Sequence, residues 1–353
     1  MARHLNPEII PPDDILRLIL EYAAELDRRT ALNLVLVSRL SQKWIDPILY
    51  SVVTLHRRST SRAFLRTIET SISKPPIFFR KRVKSLCICH DIYDETAIKI
   101  LSACRGINSL TFWAIPRSRR QPFMYSNPTA GGHTISYRHH PYPISSNDRV
   151  HHTQGPRLFS AYRFPTLPMT SSKLASVLEN LRPRHLSALL RDGQGFSCDP
   201  QFHLPFFSRI THFSIINKWE DWTAWNGFEN LYSLTHISLD LSAYCTDRIS
   251  KARKVAASLS RILACCQHLE VCLVVLLFHP DAVKTVNEIL SFMLYNSGQE
   301  GGGVYDHRLV FAMEKEPFRG RDAHSYRQME VWRRADHIAE MQRRSLGHIV
   351  PEL

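Results

Sequence analysis

Ile210-Thr211-His212-Phe213-Ser214-Ile215 and Leu234-Thr235-His236-Ile237-Ser238-Leu239 write one short phrase twice, 24 residues apart. In each, apolar and polar positions alternate and β-branched residues are frequent, the pattern of a strand. Upstream the phrase reads Val83-Lys84-Ser85-Leu86-Cys87-Ile88, Ile107-Asn108-Ser109-Leu110-Thr111-Phe112 and Arg184-His185-Leu186-Ser187-Ala188. Downstream it reads Leu269-Glu270-Val271-Cys272-Leu273 and Arg308-Leu309-Val310-Phe311. Aligned on Leu86, Leu110, Leu186, Phe213, Ile237, Val271 and Leu309, the phrases are spaced by 24, 76, 27, 24, 34 and 38 residues.

Helical patterns lie between them. Asp94 to Cys104 runs into Gly106, a helix stop, and Ser172 to Leu181 opens on a Ser-Ser cap. Asp247 to Cys265 and Asp281 to Leu294 each begin with an acid, which suits the positive end of a helix. Helix and short strand recurring near 24–27 residues is the period of a leucine-rich-repeat solenoid. The expected fold class is therefore α/β: an irregular leucine-rich-repeat-like solenoid with parallel strands and helices outside. A non-repeating α/β domain with several similar strands would carry the same phrases. The Asn that follows the strand in regular repeats is replaced by Asp91, Ala114 and Leu241 and kept at Asn217, so the units are expected to be irregular.

Strand alternation places one row of side chains outward on the sheet: Cys87, Cys89, Thr111, Trp113, Ser187, Leu189, Ser214, Ile216, Ser238, Asp240, Cys272 and Val274. The row mixes apolar and hydroxyl groups with one acid. It suits a protein or peptide target, whereas a polyanion would need Lys and Arg there.

The 76-residue step holds an insertion, about 117–166, rich in Pro, Ser, His, Arg and Gly. Such a composition cannot offset its ordering entropy, so a disordered loop is expected. Ser297 to Gly303 reads as a second, shorter link. Met329, Trp332, Ala335, Ile338 and Ala339 share a helical face, which predicts a capping helix over about 325–345 on the last repeat. Trp219, Trp222 and Trp225 recur every three residues and, with Phe228 and Leu231 following, read as core.

The N-terminal part has a different grammar. Ile10-Pro11-Pro12-Asp13-Asp14-Ile15-Leu16 opens a helix with prolines that lack donors and acids at its positive end. Ile15, Leu16, Ile19, Leu20 and Ala23 form its apolar stripe, Thr30 can cap a second helix, and Pro47 breaks the third. The segment continues through Val37-Ser38-Arg39 and Trp44-Ile45-Asp46-Pro47-Ile48-Leu49-Tyr50. In these motifs it resembles the F-box, and more narrowly the F-box-like N-termini of mushroom-forming fungi. Phrases such as Leu181-Arg182-Pro183-Arg184-His185-Leu186-Ser187 extend the likeness over most of the chain outside the insertion. The resemblance implies an F-box-like unit at 1–55 and a target-presenting region at 56–353. It also implies a Skp-type linker protein of a cullin–RING ubiquitin ligase as partner, held by Pro11, Pro12, Ile15, Leu16, Ile19, Val37 and Trp44. The alternative is a ligase-independent scaffold, nuclear in one version, in which the same residues are buried as a cap on the first repeat.

The chain's 353 residues carry a net charge of +13, scattered in short clusters rather than gathered on a nucleic-acid motif, so nucleic acid ranks low as a partner. The start lacks a signal-peptide pattern and the longest apolar run, Val271 to Phe278, is far too short for a bilayer, so an intracellular protein, cytoplasmic or nuclear, with no membrane contact is expected. The eight cysteines include no Cys-x-x-Cys pair. Cys87-Ile88-Cys89-His90 lacks the second ligand pair of a zinc site, and no phosphate loop, dinucleotide fingerprint or nucleophile elbow is present. A non-catalytic chain without cofactor or metal is the expectation.

Overall fold

Eight parallel strands form one sheet whose spatial order is the order of the sequence. They are β1 (Val52–Leu55), β2 (Ser85–Ile88), β3 (Ser109–Phe112), β4 (His185–Ala188), β5 (His212–Ile215), β6 (His236–Asp240), β7 (Val271–Leu277) and β8 (Leu309–Glu314). The computed structural model describes residues 12–88, 92–112, 116–117, 167–168, 173–191, 200–241, 248–277, 281–296, 306–314 and 325–347. The insertion and the 297–303 link expected from the sequence lie almost wholly outside these residues.

A parallel neighbour requires each connection to return to the starting end of the sheet, and helices do this here. Ahead of the sheet come α1 (Asp13–Leu26), α2 (Arg28–Leu34) and α3 (Arg39–Leu49). Then α4 (Arg58–Thr70) and α5 (Pro76–Arg82) link β1 to β2, and α6 (Asp94–Ala103) links β2 to β3. Further along, α7 (Lys173–Glu179) precedes β4, α9 (Arg248–Cys265) precedes β7 and α10 (Ala282–Asn296) precedes β8. Between β5 and β6 there is room only for the four-residue α8 (Trp219–Trp222) and a 3-10 turn at Phe228–Asn230. Trp219, Trp222, Trp225 and Phe228, all buried, supply the missing bulk. Gly227 takes φ +84° to turn the chain into that 3-10 segment, a left-handed conformation that costs a side-chain-bearing residue energy.

One hydrogen-bond pattern repeats along the strand-starting edge. The carbonyl just before each strand accepts two successive amides from the next unit: Ser51 from Lys84 and Ser85, Lys84 from Asn108 and Ser109, Asn108 from Arg184 and His185. It continues through Arg184, Thr211 and Thr235, the last accepting from Glu270 and Val271. The step that spans the 76-residue interval keeps the same bonds, so the insertion leaves strand pairing intact.

Leu86, Leu110, Leu186, Phe213, Ile237, Cys272 and Leu309 stand side by side in register and face the main apolar core with the helices α4 to α10. The sequence aligns Val271 with Ile237, but the structure pairs Cys272 there, giving steps of 35 and 37 residues. A one-residue slip exchanges the two faces of a strand. It sends Cys272 and Val274 into the core and Val271, Leu273 and Val275 to the other side. A further strand, β1, belongs to the sheet although the sequence assigns it to the helical segment. Its Val53 joins the Leu86 column 33 residues upstream.

The helix expected near 325–345 is α11 (Ser325–Gly347). It does not merely close the end of the stack. Val331, Ala335 and Ala339 pack on Val271, Leu273, Val275 and Val310, so α11 lies across the sheet face opposite the other helices. Among the described residues no helix is long and apolar enough to cross a membrane.

Candidate functional site

The helical unit α1–α3 is built by local capping. Asp27 caps α2, its carboxylate accepting from the Thr30 amide (2.7 Å), the Thr30 hydroxyl (2.7 Å) and the Arg29 amide (3.2 Å). The Thr30 hydroxyl first, then these amides, hold the Asp27 carboxyl below its ordinary range. Thr30, expected as the cap, lies inside the helix and donates to it instead. Ser38 and Ser41 form a capping box at the start of α3. Pro47 stays inside α3, where it removes a single backbone bond close to the helix end.

The buried apolar residues of this unit are Ala24, Ala31 and Ile45, with Leu20, Leu34, Val35, Trp44, Ile48 and Leu49 packed around them. The rest of its apolar surface faces solvent. Ile15, Leu18, Ile19 (55% exposed), Tyr22 and Leu26 line the open side of α1, and Leu36 (82%), Val37 and Leu40 line the α2–α3 turn. Of the residues implied for linker contact, Ile15, Ile19, Val37 and Pro12 are exposed. Leu16 and Trp44 are half-buried, and Pro11 lies outside the described residues.

The unit is also fastened to α4, α5 and the link between them. Tyr50 packs its ring against Phe64, Phe78 and Phe79 at centroid distances of 5.5 to 6.5 Å. Lys74 Nζ reaches Asp46 Oδ2 at 2.9 Å. Burial raises the Tyr50 phenol above its usual value, the Lys74 charge opposing the shift.

The second expected surface, the sheet row, is arranged differently. Cys87, Thr111, Ser187 and Ser238 share the face opposite the core, as expected, but all are buried, as are Leu189, Ile216 and Asp240; Ser214 is half-buried. Cys89 and Trp113 lie outside the described residues. With Cys272 and Val274 in the core, the described residues form no open row along the length of the sheet.

That face carries a histidine column instead. His185, His212 and His236 are in register on β4, β5 and β6. His212 and His236 stack at 4.1 Å, and His185 meets His212 edge-on at 4.5 Å. Trp332 of α11 stands perpendicular to both His212 and His236 at 5.6 Å. One turn on, Asp336 Oδ1 lies 2.7 Å from His236 Nε2. The Thr211 and Thr235 hydroxyls contact Nδ1 of His212 and His236 at 3.0 and 2.8 Å. Burial, reinforced by the neighbouring His236, lowers His185 and brings His212 down to about 3, so both rings are neutral at pH 7. The column is a structural clamp for α11, and among the described residues no group of His, Cys, Asp and Glu could hold a metal ion.

Asn217 fills the place that the sequence left to it. Fully buried, it accepts from the Leu190 amide (2.7 Å) and donates to the Leu190 carbonyl (2.6 Å), one 27-residue unit back. Its amide also donates to Asp221 Oδ2 at 3.1 Å. Trp222 Nε1 donates to the Asp240 carbonyl at 3.1 Å, which ties the short unit to β6.

The chain matches no protein-family model, no curated protein and no solved structure in the comparisons made.

Proposed function

We propose that this chain is a non-catalytic adaptor that docks through α1–α3 on a Skp-type linker protein of a cullin–RING ubiquitin ligase and presents a protein target to it. On this reading α1–α3 is the F-box-like unit, and the strands that follow are an irregular leucine-rich-repeat-like solenoid. The observation that carries the reading is the apolar face of α1 and the α2–α3 turn. A buried cap would cover Ile15, Ile19, Leu36 and Val37, and here they face solvent. Such a surface on so small a unit is costly without a partner. Each of these side chains would contribute about 1.5–3 kcal/mol on full burial against another protein. An adaptor performs no chemistry and acts by holding two partners at high effective concentration.

The test is capture of a purified Skp-type linker by the full chain. Ile15→Asp with Ile19→Asp should abolish capture while leaving the melting temperature within a few degrees, because both side chains are exposed. Retained capture by that double variant, or none by the native chain, refutes the reading. The Tyr50 cluster and the Lys74–Asp46 pair favour a second reading, a ligase-independent scaffold whose helical unit caps β1. That reading expects the native chain to ignore the linker.

A further inference from the structure

Between the starting ends of β3, β4, β5 and β6 lies an open depression of about 570 Å³, lined by the exposed Asn108, Arg184 and Arg209 and the half-buried Arg182, Thr211 and Ser233. Three of its six lining residues are arginines, and none is an acid. Among the described residues, no carboxylate pairs with Arg182, Arg184 or Arg209. Among the described residues Arg182 donates to the Leu181 and Glu179 carbonyls.

The edge that carries these groups is rigid. Asn108, Arg184 and Thr211 are the residues whose carbonyls accept the repeated amide pairs, so their Cα positions are fixed by the sheet itself. The two hydroxyls are oriented as well. Thr211 Oγ1 donates to the Arg184 carbonyl at 3.1 Å and Ser233 Oγ to the Ser208 carbonyl at 2.9 Å. With its hydrogen committed, the Ser233 oxygen is left as an acceptor, while the Thr211 oxygen is shared with His212 Nδ1 at 3.0 Å.

Three like charges around one concave volume repel each other unless an anion joins them, and guanidinium groups match tetrahedral oxyanions two bonds at a time. The volume falls within the range of small-ligand sites and exceeds that of a bare phosphate. The hydroxyls and the Asn108 amide would serve a donor-bearing group attached to the anion.

We propose that this depression binds a phosphate monoester, with Arg184 and Arg209 on the phosphate and Thr211, Ser233 and Asn108 on the adjoining group. The phosphate can belong to a free small molecule or to a phosphorylated side chain. The proposal stands apart from the adaptor reading, since the depression is formed by β3–β6 and not by α1–α3.

Calorimetric titration of the full chain at low ionic strength tests it, with glycerol 3-phosphate and a short phosphoserine peptide as probes. Saturable one-to-one binding of at least one probe is expected, and the tighter of the two identifies the source of the phosphate. Arg184→Gln and Arg209→Gln should each weaken it about tenfold or more. Arg343→Gln, on the exposed side of α11, should leave it unchanged, and the dephosphorylated probes should not bind. Binding should also fade below about pH 6 as the phosphate loses its second charge. No saturable binding of either probe, equal binding of sulfate, or full binding by the Arg184→Gln/Arg209→Gln double variant would overturn the proposal.

Discussion

Acidification from pH 8 to pH 5 should loosen this protein through His212. The ring is held neutral in the folded chain, at about 3, against an ordinary 6.5 when unfolded. The unfolded chain therefore takes up a proton as the pH falls through 6.5 while the folded chain does not, and the stability that a neutral His212 contributes above pH 6.5 is lost progressively toward pH 3. Taken at face value, the loss by pH 5 is about 2 kcal/mol. His212 is not fully covered, so solvent screening reduces this to about 1 kcal/mol. Burial and the neighbouring histidines act in the same sense, and the one acid nearby among the described residues, Asp336, reaches the ring only through His236. His185 and His236 lie on either side, Arg184 precedes His185, Thr211 supplies a hydroxyl, and from α11 come Trp332 and, through His236, Asp336. Urea unfolding at the two pH values, on the native chain and on His212→Gln, isolates the effect. The native chain should lose about 1 kcal/mol more than the variant between pH 8 and pH 5. An identical pH dependence for both proteins would show that the ring titrates normally, and the account of the histidine column would fail.

Asn217→Ala should cost about 2–4 kcal/mol, because it strands the buried amide and carbonyl of Leu190 without partners; denaturant midpoints measure this. Gly106→Ala should destabilise by more than about 1 kcal/mol, since a Cβ there would sit 2.0 Å from the Arg80 carbonyl oxygen, which is backbone and cannot step aside; a thermal melt decides it. Cys104 and Cys272 should resist a thiol reagent at pH 8 until the chain unfolds, because burial pushes both thiols up to about 12; the time course of thiol labelling with and without urea tests this.

The sheet was legible because its signal is local and repeated. The phrases around Leu110, Leu186, Phe213 and Ile237 became neighbouring strands in the register that their alignment predicts. The alignment failed at Val271, where seven consecutive apolar residues from Val271 to Leu277 leave no polar alternation to mark a face. That strand is covered on both sides, by the main core and by α11, and such strands read as continuous apolar runs. The strand β1 was hidden for a different reason. Val52-Val53-Thr54-Leu55 follows a helix directly and is only four residues long, too short to show a period. The histidines were in plain sight, one place before the aligned residue in three phrases, but their partners Trp332 and Asp336 lie about a hundred residues away. No local pattern announces such a contact.

Where α11 lies bears on recognition. An amphipathic helix that ends a chain could pack at the end of a repeat stack and leave the inner sheet face open to a target. Here Trp332 covers the rings of two strands and Val331, Ala335 and Ala339 cover two more, so the face from β5 to β8 is committed to the chain's own C-terminal helix. The burial of Thr111, Ser187 and Ser238 removes small polar groups that a target could have read. On the two proposals made above, recognition falls to the edges. The strand-starting edge offers fixed backbone, oriented hydroxyls and three guanidinium groups that no carboxylate pairs with among the described residues, and the helical unit offers apolar side chains that no other part of the described chain covers. A charged edge and an oily helix face make different demands on a partner: the first weakens steeply with salt, the second hardly at all. If both proposals hold, the chain carries two ligands of opposite salt dependence.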